Sequence, residues 1–157
     1  MASFSDFSTP DPIADPWRDE TPGLVVFPSG LRARGRGLRR GSVTGQPPTV
    51  SMCFTWRRPP QVRQRCMWVR WPDFWVPSDP SEAVRQLRSA HSLLATERVE
   101  LCCGAGVGRT GTGLAALAVI DGMTPDDAVE FIHRTYHLRA VETPWQRKFL
   151  SRVLMIS

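Results

Sequence analysis

Acidic side chains are absent from a third of this sequence. Residues 21–72 hold ten arginines and no aspartate or glutamate, whereas residues 1–20 hold five acids against one arginine and residues 73–157 ten acids against nine bases. The net charge of +5 therefore hides a segment of +10 between acidic or near-neutral flanks. Such a segment points to anionic partners: phosphates, nucleic acid or a membrane surface. Lysine is almost missing as well. Nineteen of the twenty basic residues are arginine, the side chain whose planar fork grips two oxygens of one phosphoryl group. No uninterrupted apolar run exceeds the seven residues 114–120, so no membrane-spanning helix is expected. Residues 1–16 are acidic and Pro-rich and lack the charged-then-apolar order of a secretory signal. Histidine is scarce too: His91, His133 and His137 are scattered over predicted helices, and the four cysteines, at 53, 66, 102 and 103, include an adjacent pair. That combination makes no convincing metal set. Neither a metal nor an organic cofactor is expected, and reduced thiols in a cytoplasmic setting are the better reading.

What is present suits one domain. A chain of 157 residues with 41% hydrophobic residues and six tryptophans can bury roughly two-thirds of its unfolded surface in a single core. Residues 1–20 read as a flexible acidic, Pro-rich arm, and residues 21–157 as the domain. Residues 24–27, a Pro28-Ser29-Gly30 turn and Leu31 onward read as strand, turn and strand. Arg34-Gly35-Arg36-Gly37 is too Gly-rich for a helix and reads as a loop or strand end. A loop over 41–49 follows, then strands over 50–56 and 66–70 joined by Arg57-Arg58-Pro59-Pro60. The second half is helical. Ser78 or Asp79 caps a helix with Pro80 in its first turn, whose apolar face holds Ala83, Val84, Leu87, Ala90 and Leu94. A buried strand over 99–102, a Gly-rich turn and a helix through Ile120 come next. Two more helices start at Thr124-Pro125 and Thr143-Pro144, the first carrying Tyr136 on its apolar side. Early strands and late helices with one strand–turn–helix unit indicate an α/β fold, a small mixed sheet flanked by helices.

The chemistry concentrates in Cys103-Gly104-Ala105-Gly106-Val107-Gly108-Arg109-Thr110-Gly111. A strand delivers a thiol to a tight loop, and six residues later an arginine opens a helix. Three glycines let Gly104, Ala105, Gly106, Val107 and Gly108 curl until several N–H groups point inward as an anion nest. The helix aims its positive end at the same point, a field that favours a thiolate. Arg109 can reach back to grip a phosphoryl group, and the Thr110 hydroxyl could hydrogen-bond the sulfur. Nucleophile, oxyanion donors and cation thus share one loop. Two other motif readings fail. Gly106-x-Gly108-x-x-Gly111 fits a dinucleotide fingerprint, but no second strand ending in an acid follows at the required distance. A Walker-type loop needs lysine where Arg109 stands.

Cys-x5-Arg-Thr-Gly resembles the signature loop of the cysteine-dependent protein tyrosine and dual-specificity phosphatases. Thirty residues earlier, Trp71-Pro72-Asp73-Phe74 resembles their mobile general-acid loop. Downstream, Glu142-Thr143-Pro144-Trp145-Gln146 resembles the segment bearing their water-positioning glutamine. The resemblance covers residues 66–155, with spacing nearer the compact dual-specificity group. It implies a phosphate loop set between a central strand and a helix, Cys103 as nucleophile forming a thiophosphoryl intermediate, and Arg109 with the N–H groups of residues 104–109 as transition-state stabilisers. It also implies Asp73 as general acid then base, and Gln146 as the residue orienting water. Where the family usually has His before its nucleophile, this chain has Cys102. The loop also carries no lysine, which inositol-lipid phosphatases of the superfamily often have.

Gln146 keeps a second reading, because Thr143-x-x-Gln146 is also a capping box in which the glutamine only satisfies a helix end. The expected activity is metal-independent hydrolysis of phosphotyrosine, and of phosphoserine or phosphothreonine, in phosphorylated protein partners. Phosphate and other oxyanions are expected in the loop, and nucleic acid is not the expected partner. The alternatives are a non-catalytic phosphate-binding module, an RNA 5′-phosphatase and an inositol-lipid phosphatase. If the arginine-rich segment rims the pocket, it would select acidic, phosphorylated partners; on the far face it is only surface.

Overall fold

A computed structural model describes residues 15–41, 45–59 and 65–156. Residues 1–14 of the expected arm, 42–44 of the 41–49 loop and Pro60 of the following connection lie outside the described residues.

Five strands form one mixed sheet. They are β1 (Leu24–Val26), β2 (Arg32–Gly37), β3 (Val50–Thr55), β4 (Arg65–Arg70) and β5 (Val99–Cys103), in the spatial order β1-β2-β5-β3-β4. Only β1 runs antiparallel to its neighbour; β2 and β3 flank β5 in parallel, and β4 pairs parallel with β3. The strand that ends on Cys103 is therefore central, held on both sides. A 3-10 turn (Leu38–Arg40) follows β2. The helices are α1 (Pro80–Leu93), α2 (Gly108–Ile120), α3 (Pro125–Thr135) and α4 (Pro144–Val153).

Local chemistry explains the helix starts. Asp79, Thr124 and Thr143 each accept a hydrogen bond from the N–H three residues on, and each precedes a proline that occupies the first helical position. Of the two candidate caps for α1, Asp79 is the one used. Strand alternation then sorts the two faces of the sheet. Val50, Met52, Phe54, Val69, Val99, Leu101 and Cys103 join the buried faces of all four helices in one apolar cluster. Helix α2 lies deepest, with Gly108 to Val119 all buried. The alternating residues Arg34, Ser51, Glu100 and Cys102 are also buried, on the opposite face. No helix among the described residues is long and apolar enough to cross a membrane.

Three details differ from the sequence reading. Arg34 to Gly37, read as a loop or strand end, lie inside β2. Their glycines serve close approach and not a turn: a Cβ on Gly35 would lie 2.5 Å from the Tyr136 ring, and one on Gly37 2.4 Å from the Ala105 carbonyl oxygen. Tyr136 stands at the C-terminal cap of α3, past the helix proper. Residues 15–20, placed in the arm, are tied to the domain. Trp17 is 2% exposed, donates its indole N–H to the Val99 carbonyl and lies under the Arg34 guanidinium, 4.3 Å from its ring centroid.

Candidate active site

Cys103 is the last residue of β5, and its side chain turns toward α2, with 1% of the residue exposed. Because neighbouring strand residues face opposite ways, Cys102 turns to the other face. There its sulfur lies 3.2 Å from that of Cys53, which in turn lies 3.6 Å from that of Cys66. Cys102 therefore has no direct part in the loop, despite standing where the family usually places histidine.

The loop curls as its glycines allow. Gly106 has φ +78° and passes so close to β2 that a Cβ would sit 2.4 Å from Gly37 N; only glycine fits there. Its N–H donates to the Cys103 sulfur at 3.2 Å. Two contacts from elsewhere fix the loop from outside. Arg39 N–H donates to the Gly104 carbonyl at 3.0 Å, and the Tyr136 hydroxyl donates to the Gly106 carbonyl. Burial pushes the Tyr136 phenol well above its usual range, so it stays a protonated donor. Neither contact was legible in the sequence, where Tyr136 read as an apolar helix residue and Arg39 as one arginine among ten. No spacing signal linked either to the loop.

Arg109, in the first turn of α2, is 6% exposed. Its Nη1 donates to the Trp71 carbonyl at 3.2 Å, and its Nε lies 3.5 Å from Asp73 Oδ1. The structure thus brings three sequence-predicted residues together: Cys103 and Arg109 in one loop, and Asp73 over it. The Thr110 hydroxyl is buried with no hydrogen-bond partner, so the bond expected from it to the Cys103 sulfur is not made.

The segment bearing Asp73 is a loop closed at its base by Ser78 N–H donating to the Arg70 carbonyl, 3.1 Å. Trp71 anchors it. Its ring is fully buried between Phe54 and Phe149, with centroids at 4.8 and 5.7 Å. Its indole N–H donates to the Trp75 carbonyl at 2.7 Å. Beyond that anchor the loop is exposed and strained: the Asp73 side chain is 43% exposed, and Phe74 takes φ +57°, a rare conformation for a bulky residue.

Residues 142–146 hold the loop in place. The Trp145 indole donates to the Phe74 carbonyl. Gln146 is fully buried. Its Nε2 donates to the Trp75 carbonyl at 3.1 Å, and its Oε1 accepts from Glu142 N–H at 2.9 Å. Thr143 Oγ1 accepts from Gln146 N–H, as the capping reading requires. The glutamine satisfies a helix end with one side of its amide and grips the acid loop with the other. Glu142 packs its carboxylate against Gly108, where a Cβ would lie 1.9 Å from Oε1.

The arginines of residues 21–72 have separate fates. Arg34 and Arg36 pair with the buried Glu100, and Arg32 pairs with Asp19. Arg58 and Arg70 stack on Trp68, and Arg70 also on Trp56, at the β3–β4 edge. Arg39 and Arg40, without a carboxylate partner among the described residues, stand beside the Cys103–Arg109 loop. Among the described residues no group of three or more His, Cys, Asp and Glu could hold a metal.

Comparison with known proteins agrees with this geometry. The family model described as Protein-tyrosine phosphatase matches residues 49–155. Tyrosine-protein phosphatase 69D of Drosophila melanogaster is 32% identical over 89 residues, 55% of this chain and 6% of that protein. Receptor-type tyrosine-protein phosphatase epsilon of Rattus norvegicus is 30% identical over 103 residues, 61% of this chain and 15% of that one. The chain thus spans a small part of these relatives' length. In fold it is similar to the structure of Tk-PTP in the active form, with TM-score 0.65 at 19% identity over 84% of this chain and 96% of that one. It is also similar to PTPMT1, with TM-score 0.52 at 17% identity over 67% and 74%. The match across two-thirds of the sequence, on a sheet that carries the thiol, arginine and acid loops together, means that this chain belongs to the protein-tyrosine phosphatase family of phosphate ester hydrolases.

Proposed function

We propose that the protein is a metal-independent phosphomonoesterase that removes phosphate from phosphotyrosine, and also from phosphoserine and phosphothreonine, in protein substrates. The observation that carries the reading is the position of Asp73, 3.5 Å from Arg109 in the loop that starts at Cys103. An acid beside the cation that grips phosphate is where a leaving oxygen needs its proton.

The steps follow from these groups. The Cys103 thiolate attacks phosphorus and an S–P bond forms. The P–O bond to the leaving group breaks, and its oxygen takes the proton of Asp73. Arg109 and the N–H groups of residues 104–109 hold the equatorial oxygens as charge builds on them. A water then attacks phosphorus while the Asp73 carboxylate takes its proton. The S–P bond breaks, inorganic phosphate leaves and the thiolate is restored. Gln146 serves this cycle by holding the acid loop, since both ends of its amide already have partners. The four free cysteines support a cytoplasmic setting, where thiols stay reduced.

The test is hydrolysis of a small aryl phosphate with a chelator present, comparing the parent with Cys103→Ser and Asp73→Asn. Turnover is expected in the parent and none in Cys103→Ser. Asp73→Asn should slow poor leaving groups by about 100-fold or more, the usual worth of general acid catalysis. Turnover surviving in Cys103→Ser would overturn the mechanism. No turnover in any form, with phosphate still bound, would mark a phosphate-binding module instead.

A further inference from the structure

Strand β4 is an edge of the sheet, paired with β3 on one side and with no other strand among the described residues. The backbone shows which of its groups are left open. Trp71 N–H, just past the strand, donates to the Thr55 carbonyl of β3 at 3.1 Å. Successive strand residues turn their N–H and C=O groups to opposite edges, so Val69 and Met67 face β3 as well. Cys66, Trp68 and Arg70 face outward. The Arg70 carbonyl agrees with that parity, since it accepts from Ser78 N–H at the base of the acid loop, 3.1 Å. The N–H groups of Cys66, Trp68 and Arg70 and the carbonyls of Cys66 and Trp68 bond to no other backbone group among the described residues.

This open edge is basic. Arg57, Arg58, Arg65 and Arg70 are exposed around it, and among the described residues none of them has a carboxylate within ion-pair distance. Two of the guanidinium groups are held in place by rings. Arg70 lies 5.2 Å from the Trp68 ring centroid and 5.4 Å from that of Trp56, and Arg58 lies 5.8 Å from that of Trp68. Trp68 is itself pinned, because its indole N–H donates to the Thr55 carbonyl at 3.1 Å. The Thr55 hydroxyl donates to the Arg57 carbonyl at 2.7 Å and fixes the turn that carries Arg57 and Arg58. Cations already held lose little freedom when an anion arrives.

The chemistry of the edge selects its occupant. A row of open N–H and C=O groups is completed by another extended backbone. A second copy of β4 would set arginine against arginine, which is unfavourable across a strand pair. A nucleic acid strand needs free ring faces on which to stack its bases, and Trp68 already carries two guanidinium groups. An acidic extended peptide meets both the backbone and the charge. We infer that the β4 edge is a docking site for an extended acidic segment of a protein partner, which adds to the sheet as a further strand beside the acid loop. The docking does not rest on the phosphatase reading above, because no residue of the Cys103–Arg109 loop takes part in it.

Binding is measured on the full chain by fluorescence anisotropy, so that turnover is not needed. The probe is a labelled decapeptide of alternating glutamate and threonine. Its comparators are the glutamine–threonine decapeptide, the acidic decapeptide with its central amides N-methylated, an oligothymidylate and vesicles of anionic phospholipid. The acidic peptide should bind about tenfold or more tightly than either peptide comparator, since one loses the charge and the other the strand pairing. Arg58→Glu and Arg65→Glu should each weaken binding about threefold or more, whereas Arg134→Glu, the same charge change on α3, should leave it near the parent's. Proline is tolerated on an edge strand where its missing N–H faces outward. Cys66→Pro should therefore fold, as circular dichroism would show, and lose most of the binding that Cys66→Ala keeps. If Cys66→Pro does not fold, the N-methylated peptide decides the same point on the parent protein. Equal affinity for the N-methylated peptide would overturn strand addition, and equal affinity for the neutral peptide would overturn the charge selection. Failure of the acidic peptide to bind the parent would overturn the site. Tighter binding of the oligothymidylate or the vesicles, lost in Arg58→Glu and Arg65→Glu, would give the edge to nucleic acid or a membrane surface and overturn the proposal.

Discussion

The Tyr136 hydroxyl donates to the carbonyl of Gly106, and Gly106 in turn donates its N–H to the Cys103 sulfur at 3.2 Å. A phenol past the end of α3 thus steadies the residue that touches the proposed nucleophile. It is the chain's only tyrosine. Phenylalanine at this position would keep the ring against Gly35 and leave the Gly106 carbonyl without its donor. Tyr136→Phe should lower unfolding free energy by about 1 kcal/mol and weaken phosphate binding several-fold. Urea denaturation and phosphate titration would measure the two. Phosphate affinity equal to the parent's would mean the loop keeps its shape without the phenol.

Gln146 offers a different separation. Its amide bridges Glu142 N–H and the Trp75 carbonyl while fully buried. Gln146→Ala should cost about 1–3 kcal/mol, because it empties a fully buried side-chain site, takes the acceptor from Glu142 N–H and leaves the Trp75 carbonyl with the Trp71 indole alone. It should also slow the step that needs Asp73. Rapid-quench kinetics with poor and good leaving groups would read this directly: the loss should be largest for poor ones. A burst followed by slow turnover would show that the glutamine acts on water in the second step instead.

Glu100 is the buried acid on β5, and it is bound by Arg34 and Arg36. Arg34 is 3% exposed, so removing its counter-charge strands a cation inside the protein. Glu100→Gln should destabilise the fold by about 3–5 kcal/mol. That is a large share of the 5–15 kcal/mol typical of a domain. Thermal unfolding followed by circular dichroism would check it, and a midpoint unchanged from the parent's would refute the pairing.

Cys66 gives a prediction in pH. Partial desolvation, with the Cys53 thiol beside it, lifts the surface thiol of Cys66 to about 11. At pH 8 the folded protein should therefore hold less Cys66 thiolate than the unfolded chain, by a factor that solvent at this exposed site reduces. Alkylation, mapped by mass spectrometry, should be slower in buffer than in urea. It should then rise about tenfold per pH unit toward pH 11. The sign for stability follows: the folded state binds this proton more tightly, so the contribution is complete below pH 9 and is lost as pH climbs from 9 to about 11.

The helices and the phosphate loop were legible because their signals are local. Asp79, Thr124 and Thr143 sit immediately before prolines, and Cys103 and Arg109 are joined by the five residues of one loop. The acid segment was legible through Trp71-Pro72-Asp73 at the family's distance. Strand β2 was legible from Leu31 onward, but its extent through Arg34 to Gly37 was not, since those residues carry glycines that normally mark turns. Their need arises from Tyr136, 101 residues after Gly35, and Ala105, 68 residues after Gly37, so no window over the sequence contains both partners. The same applies to Tyr136 and Arg39, whose bonds to the loop are made by tertiary packing alone. Gln146 was read as either cap or catalytic group, and its contacts join the cap to the acid loop.

One guanidinium, that of Arg109, both donates to the Trp71 carbonyl and belongs to the loop proposed to receive phosphate. Oxyanion occupancy and acid-loop position are consequently two ligations of the same fork, and a free energy of coupling must connect them. By reciprocity, whatever draws Arg109 toward a bound anion changes the grip on Trp71, and any substitution that frees the acid loop alters anion affinity by the same factor. Under the proposed mechanism, Asp73 would thereby be delivered in step with the charge it serves.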